Sequence, residues 1–122
     1  MVAFVEMDER VSIHDQLADA DGPVILVNKF TVKPDEAEQL VAAWADDAAW
    51  MKRQPGFIST QLHRGIADSG VFLNYAVWES TAHFRAAFTN SEFQAKLGHY
   101  PSSAIASPHL FRKVAVSGIC VA

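Results

Sequence analysis

Residues 71–80 read VFLNYAVWES, and this stretch decides the fold. It is apolar or aromatic almost throughout, as in a strand buried on both faces rather than one facing water. Side chains alternate along a strand, so Phe72, Asn74, Ala76 and Trp78 share one face. A carboxamide and an indole N–H on an apolar face need partners, because an unmade buried hydrogen bond costs about 1–3 kcal/mol. Either the protein satisfies them internally, or they look into a cavity where a ligand does.

Upstream, FISTQLHR (residues 57–64) reads as a strand, and Gly65 to Gly70 joins it to the 71–80 strand as a hairpin loop. Its alternation sets Phe57, Ser59, Gln61 and His63 on one face, with Ile58, Thr60, Leu62 and Arg64 on the other. Before it, residues 35–53 carry Ala37, Leu40, Val41, Trp44, Ala48 and Met51 at helical spacing. Asp35 with Glu38 suggests a capping box, and Pro55-Gly56 ends that helix. Trp50 falls on the edge of the stripe, and Asp46 and Asp47 are expected in solvent. Residues 24–32 (VILVNKFTV) form the first clear strand, with Asn28 in its middle.

Downstream, Ser80 is expected to cap a second helix that breaks near Thr89-Asn90 and restarts at Ser91. Residues 101–108 read as a Ser/Pro loop, and 109–116 as the last strand. The order is βαββαβ, an α+β, ferredoxin-like arrangement with helices on one face of an antiparallel sheet. Three segments follow: an N-terminal arm over 1–22 with a turn signal at 19–23, a domain over 23–117, and an apolar tail over 118–122. Two helices cover one face of four strands, yet the strands at 24–32 and 71–78 are apolar on both faces. The second face is therefore expected to meet the same sheet of another copy, in a two-fold homodimer. Tyr75, opposite in phase to Asn74, is expected to point at the helices.

Composition narrows the function classes. A chain of 122 residues, 50% hydrophobic, fits one domain with a packed core. The net charge of -4 and scattered basic residues give no footprint for nucleic acid. No run is long enough to span a membrane, and the opening MVAFVEMDERV lacks the form of a secretory signal, so a cytoplasmic protein is expected. Cys120 is the sole cysteine and no histidine pair has metal-ligand spacing, so no metal site is expected.

The run Trp50-Met51-Lys52-Arg53-Gln54-Pro55-Gly56-Phe57 resembles the antibiotic biosynthesis monooxygenase family. So does Asn74-Tyr75-Ala76-Val77-Trp78-Glu79-Ser80, followed by Phe84; the resemblance covers residues 23–117. The Pro-Gly-Phe and Trp-Glu-Ser elements are shared across the superfamily and speak to fold. The Asn-Tyr-x-x-Trp pattern is similar to that of cofactor-free monooxygenases of aromatic polyketide pathways. The resemblance implies a dimeric α+β barrel that oxidises a phenolic or anthrone-type polycycle to a quinone with O₂, without flavin, haem or metal. It also implies Asn74 and Trp78 as the catalytic hydrogen-bond donors.

Substrate contacts are expected from Asn28, Phe72, His63, Phe84 and Trp50, with His63 a candidate base if its face matches that of Asn74. Phe84 stands where some members carry a tyrosine, and Lys96-Leu97-Gly98-His99 offers no counterpart to an arginine of those relatives. Two alternatives remain: a non-catalytic barrel that binds a small apolar ligand, and the haem-degrading branch of the superfamily. Asn28 resembles that branch's first-strand asparagine, but Ala87 and Leu97 occupy the positions of its second tryptophan and its haem-ligand histidine.

Overall fold

Among the described residues, five strands form one sheet in the order β1-β5-β2-β4-β3. They are β1 (Ala3–Phe4), β2 (Val24–Thr31), β3 (Phe57–Arg64), β4 (Val71–Trp78) and β5 (Ile105–Phe111). All neighbours are antiparallel except β1, which runs parallel to β5. The helices are α1 (Ile13–Leu17), α2 (Ala37–Met51), α3 (Thr81–Phe88) and α4 (Ser91–Lys96). From β2 onward this is the expected ferredoxin-like βαββαβ order, its last helix broken in two. The computed structural model describes residues 2–19 and 22–122, so part of the turn expected at 19–23 lies outside the described residues.

Local chemistry explains most element ends. Ser80 Oγ accepts from the His83 N–H at 3.1 Å and starts α3, while α4 restarts at Ser91 as expected, capped by Asn90 through the Glu92 N–H. The capping box expected at Asp35 and Glu38 is not made. Pro34–Glu36 form a 3₁₀ turn, and α2 begins at Ala37 without a side-chain cap. At its other end, the Arg53 side chain donates to the Ala49 carbonyl, and the Gln54 side chain donates to the Trp50 carbonyl, which also accepts from the Arg53 N–H. Gly56 then turns the chain into β3 at φ +84°, and a Cβ there would lie 2.2 Å from the His83 ring.

The last strand departs from expectation: it spans Ile105–Phe111 and contains Pro108, and residues 112–116 are exposed beyond it. The carbonyls of Ala104, just before β5, and of Ala106 accept from the Ala3 and Val5 N–H groups, in β1 and just after it, so even-numbered residues of β5 turn their backbone polar groups away from β2. Pro108 belongs to that set, and its missing N–H faces past the end of β1 rather than into the ladder. Gln16 of α1 takes over at the next such position. Its carboxamide donates to the Leu110 carbonyl at 3.0 Å and accepts from the Leu110 N–H at 2.9 Å. The arm thus packs on its own domain, with Val2, Ile13 and Leu17 buried and Phe4, Val5 and Val11 exposed.

Two further differences concern which face a side chain takes. A β-bulge between Phe57 and Ser59 pairs Phe57 with Trp78 but Ser59 with Val77. The extra residue, Ile58, changes the phase, so Phe57 joins Thr60, Leu62 and Arg64 on one face. The helices cover the face that carries Phe72, Asn74, Ala76 and Trp78, and leave Tyr75 40% exposed on the other. Tyr75 therefore does not point at the helices: both faces of β4 are apolar, and hydrophobicity alone does not say which one they cover. The core lies between that face and the helices, around Leu40, Phe72, Trp78, Phe84 and Phe93. No helix among the described residues is long and apolar enough to cross a membrane.

Candidate active site

Asn28 and Asn74 sit directly opposite each other on β2 and β4, with Pro108 across from Asn28 on β5. Cross-strand neighbours of this kind bring side chains within contact range, so two carboxamides stand side by side on the covered face. Two residues along, on the same face, Leu26 faces Ala76, and the small alanine leaves space beneath the helices. A cavity opens there between the sheet, α2, α3 and α4, with Asn28, Asn74, Trp78 and Phe84 among its lining residues. About 50 Å³ of it is open to the centres of water-sized molecules. That is room for a few waters, since one water needs roughly 10–15 Å³ on this measure.

Three polar atoms on residues of this cavity are left unpaired. Among the described residues, four buried side-chain polar atoms have no hydrogen-bond partner: Asn28 Oδ1, Asp47 Oδ1, Trp78 Nε1 and His109 Nδ1. The first three belong to residues that line this one cavity. Folded proteins rarely leave buried polar atoms unpaired, so such a concentration is a mark of a site rather than of a core. Asn74 is oriented by Thr60, whose hydroxyl donates to Asn74 Oδ1 at 2.5 Å. That bond leaves the Asn74 Nδ2 donor for a ligand. The cavity therefore combines donors at Asn74 and Trp78 with acceptors at Asn28 and Asp47.

Aromatic rings form its walls. Trp78, 1% exposed, is met edge-on by Phe57 at 5.4 Å and by Phe84 at 5.7 Å between ring centroids. Phe88 stacks on Phe84 at 5.3 Å and meets Phe93 at 5.5 Å. Phe84 is wholly buried and presents only its ring, so it can hold a flat ligand but cannot exchange a proton.

Asp47 is the residue that sequence reasoning set in solvent. It is 8% exposed, and its Oδ2 accepts from the Tyr100 hydroxyl at 2.8 Å. Burial pushes its carboxyl up to about 6, although the Tyr100 hydrogen bond and the Lys96 charge pull it down; Asp46 adds a smaller upward push. Burial also raises Tyr100, as do the Asp47 charge and the bond it donates, so Tyr100 stays protonated. The buried residues of α2 include Leu40, Ala43, Asp47 and Trp50, a stripe turned slightly from the one the apolar residues suggest.

Three other sequence candidates lie elsewhere. His63 pairs with Leu73 on the uncovered face, where its Nδ1 lies 3.2 Å from the Leu73 carbonyl. The bulge removes it from the face of Asn74, and none of the histidines lines the cavity. Trp50 is buried between helices, its indole donating to Glu92 at 3.0 Å and its ring stacked on Phe93. Phe72 shares the face of Asn74 but lies outside the cavity, under the Arg64 guanidinium at 5.2 Å.

Known proteins resemble this chain in sequence and fold. The deoxynogalonate monooxygenase of Streptomyces nogalater is 39% identical over 75 residues, covering 62% of each chain. An uncharacterised protein of Synechocystis is 26% identical over 81 residues, which cover 63% of this chain and 55% of that one. The matches thus span less than two thirds of the length of these relatives. The crystal structure of SnoaB, a cofactor-independent oxygenase from Streptomyces nogalater, superposes with a TM-score of 0.68 at 28% identity. It covers 80% of this chain and 99% of SnoaB. Residues 23–96, which carry the cavity's two asparagines and Trp78, match the antibiotic biosynthesis monooxygenase family, and the chain belongs to that family.

Proposed function

We propose that this chain is a cofactor-independent monooxygenase that oxidises an electron-rich polycyclic aromatic, of phenol or anthrone type, to a quinone with O₂. The observation that carries the reading is the convergence of unpaired buried polar atoms on one aromatic-walled cavity. A hydroxylated polycycle offers what those groups lack: O–H donors for Asn28 and Asp47, and carbonyl or phenolate oxygens for Asn74 and Trp78. Its anion is electron-rich enough to reduce O₂ itself. The protein then has to bind it flat, exclude water and stabilise negative charge with fixed donors. Asn74, held by Thr60, and the buried Trp78 indole suit that task.

The domain over 23–117 acts as a homodimer in this reading, in the cytoplasm. Ile25, Val27, Tyr75 and Val77 form an apolar stripe on the face without helices, and the same face of a second copy is its natural cover. The narrow cavity favours a second reading, a barrel that binds a small apolar ligand without turnover. For a polycycle to enter, the half-buried Trp44, Met51 and Phe88 must move outward.

Aerobic incubation with dithranol separates the two readings. The oxygenase consumes O₂ well above the buffer rate and forms the quinone. Uptake at the buffer rate sinks this reading and leaves the ligand-binding one.

A further inference from the structure

We propose that Asp47 is the general base of this cavity: its Oδ1 removes a proton from the bound substrate, while Tyr100 holds Oδ2 and positions the carboxylate. The substrate class rests on the oxygenase reading above. Three observations meet at this residue. The carboxylate is buried on the cavity wall, one oxygen is fixed by Tyr100 at 2.8 Å, and the other has no partner among the described residues. The free oxygen is buried, on a residue of the cavity wall, and is the Asp47 atom left for a ligand admitted there. On the opposite wall, Asn28, Asn74 and Trp78 are neutral and can hold the anion that deprotonation creates.

The charged and titratable groups around Asp47 are few. They are Tyr100, Lys96 on α4 and the adjacent Asp46, and Lys96 is bridged to Asp46 at 3.0 Å. Burial, the dominant influence, raises the Asp47 carboxyl to about 6, where a base is both mostly ionised at neutral pH and strong enough to abstract a proton.

The steps balance. A proton passes from an activated CH₂ to Asp47, and the C–H electron pair stays on the ring system as an anion. The anion gives one electron to O₂, and the radical and superoxide combine to form a C–O bond. The resulting peroxide takes the proton back from Asp47. Its distal oxygen leaves as water with the second hydrogen of that carbon, and a carbonyl remains. The sum is CH₂ + O₂ → C=O + H₂O, with O₂ as the oxidant.

The test isolates the first step by excluding oxygen. Exchange of the dithranol methylene protons in D₂O is followed by NMR under anaerobic conditions, beside aerobic O₂ uptake. The wild type should speed exchange, with a rate that rises through pH 6 to a plateau. Asp47→Asn should lose about 100-fold or more while dithranol still quenches its tryptophan fluorescence. Tyr100→Phe should move the midpoint upward, because the lost hydrogen bond lowers the Asp47 carboxyl. Wild-type exchange by Asp47→Asn overturns the proposal, and if O₂ uptake also persists, the oxygenase reading stands alone. Exchange that depends on Asp47 without O₂ uptake keeps the base and sinks the oxygenase. A wild type that does neither overturns both.

Discussion

Both faces of β4 are apolar, yet their surroundings differ. Along β4 the covered face carries Phe72, Asn74, Ala76 and Trp78, and the open face carries Val71, Leu73, Tyr75 and Val77. What separates them is the state of their polar atoms. Beneath the helices, Asn28, Trp78 and Asp47 hold unpaired groups out of water. On the open face, Lys29, Gln61 and His63 are exposed and can reach solvent. Hydrophobicity tells a folding chain where to bury surface. Unmet hydrogen bonds tell where chemistry is kept.

Neighbouring substitutions break this comparison most sharply. Asn74→Ala should lower dithranol oxidation by about 100- to 1,000-fold, the usual loss when one fixed donor to a developing anion is removed. Tyr75→Ala, one residue on, should leave the rate of the bound substrate close to wild type. Steady-state O₂ uptake by the two variants checks both, and equal losses would erase the distinction between the faces.

Stability sharpens the same contrast. The folded Asp47 holds its proton up to about 6, against an ordinary value of 3.8. The folded state therefore binds the proton more tightly, and stability falls as pH rises from 4 through 6. Above that, the ionised carboxylate costs the fold about 3 kcal/mol at 1.36 kcal/mol per pH unit. Asp47→Asn should be more stable than wild type by up to that amount at pH 8, with the gain vanishing near pH 4 in urea melts. A residue kept at such a cost is consistent with a demand other than folding.

Smaller effects are expected away from the cavity. Gln16→Ala should cost about 1–3 kcal/mol in the same melts, because Leu110 loses both backbone partners. Val77→Lys on the open face should convert a dimer to a monomer in sedimentation velocity, and lower the urea midpoint by what the dimer contact contributed at that protein concentration.

Much of the fold was legible because the signals were local. Ser80 before an apolar run, Pro55-Gly56 after one, and the β-branched run at residues 24–32 each act within a few residues. The misreadings have long-range causes. Pro108 argued against a strand until the short reach of β1 showed that its missing N–H has no partner to fail. Nothing in FISTQLHR marks Ile58 as the residue that bulges, yet that bulge decides where His63 points. Asn74 and Trp78 stood out as polar groups on an apolar strand. Asp47, beside Asp46 on a helix, looked like any solvated acid, and only the packing of Tyr100 against α2 sets it apart.

The carboxamide of Gln16 has a consequence for how the protein meets its own kind. An open strand edge is a template onto which another chain can add itself, the first step toward fibrous aggregates. Here β1 spans only two residues of β5, and Gln16 occupies the next backbone pair beyond it. A single side chain imitates one residue of a further strand and stops there, offering nothing for an incoming chain to extend. Residues 2–19 thus protect the β5 flank of the sheet, while β3 forms its other edge.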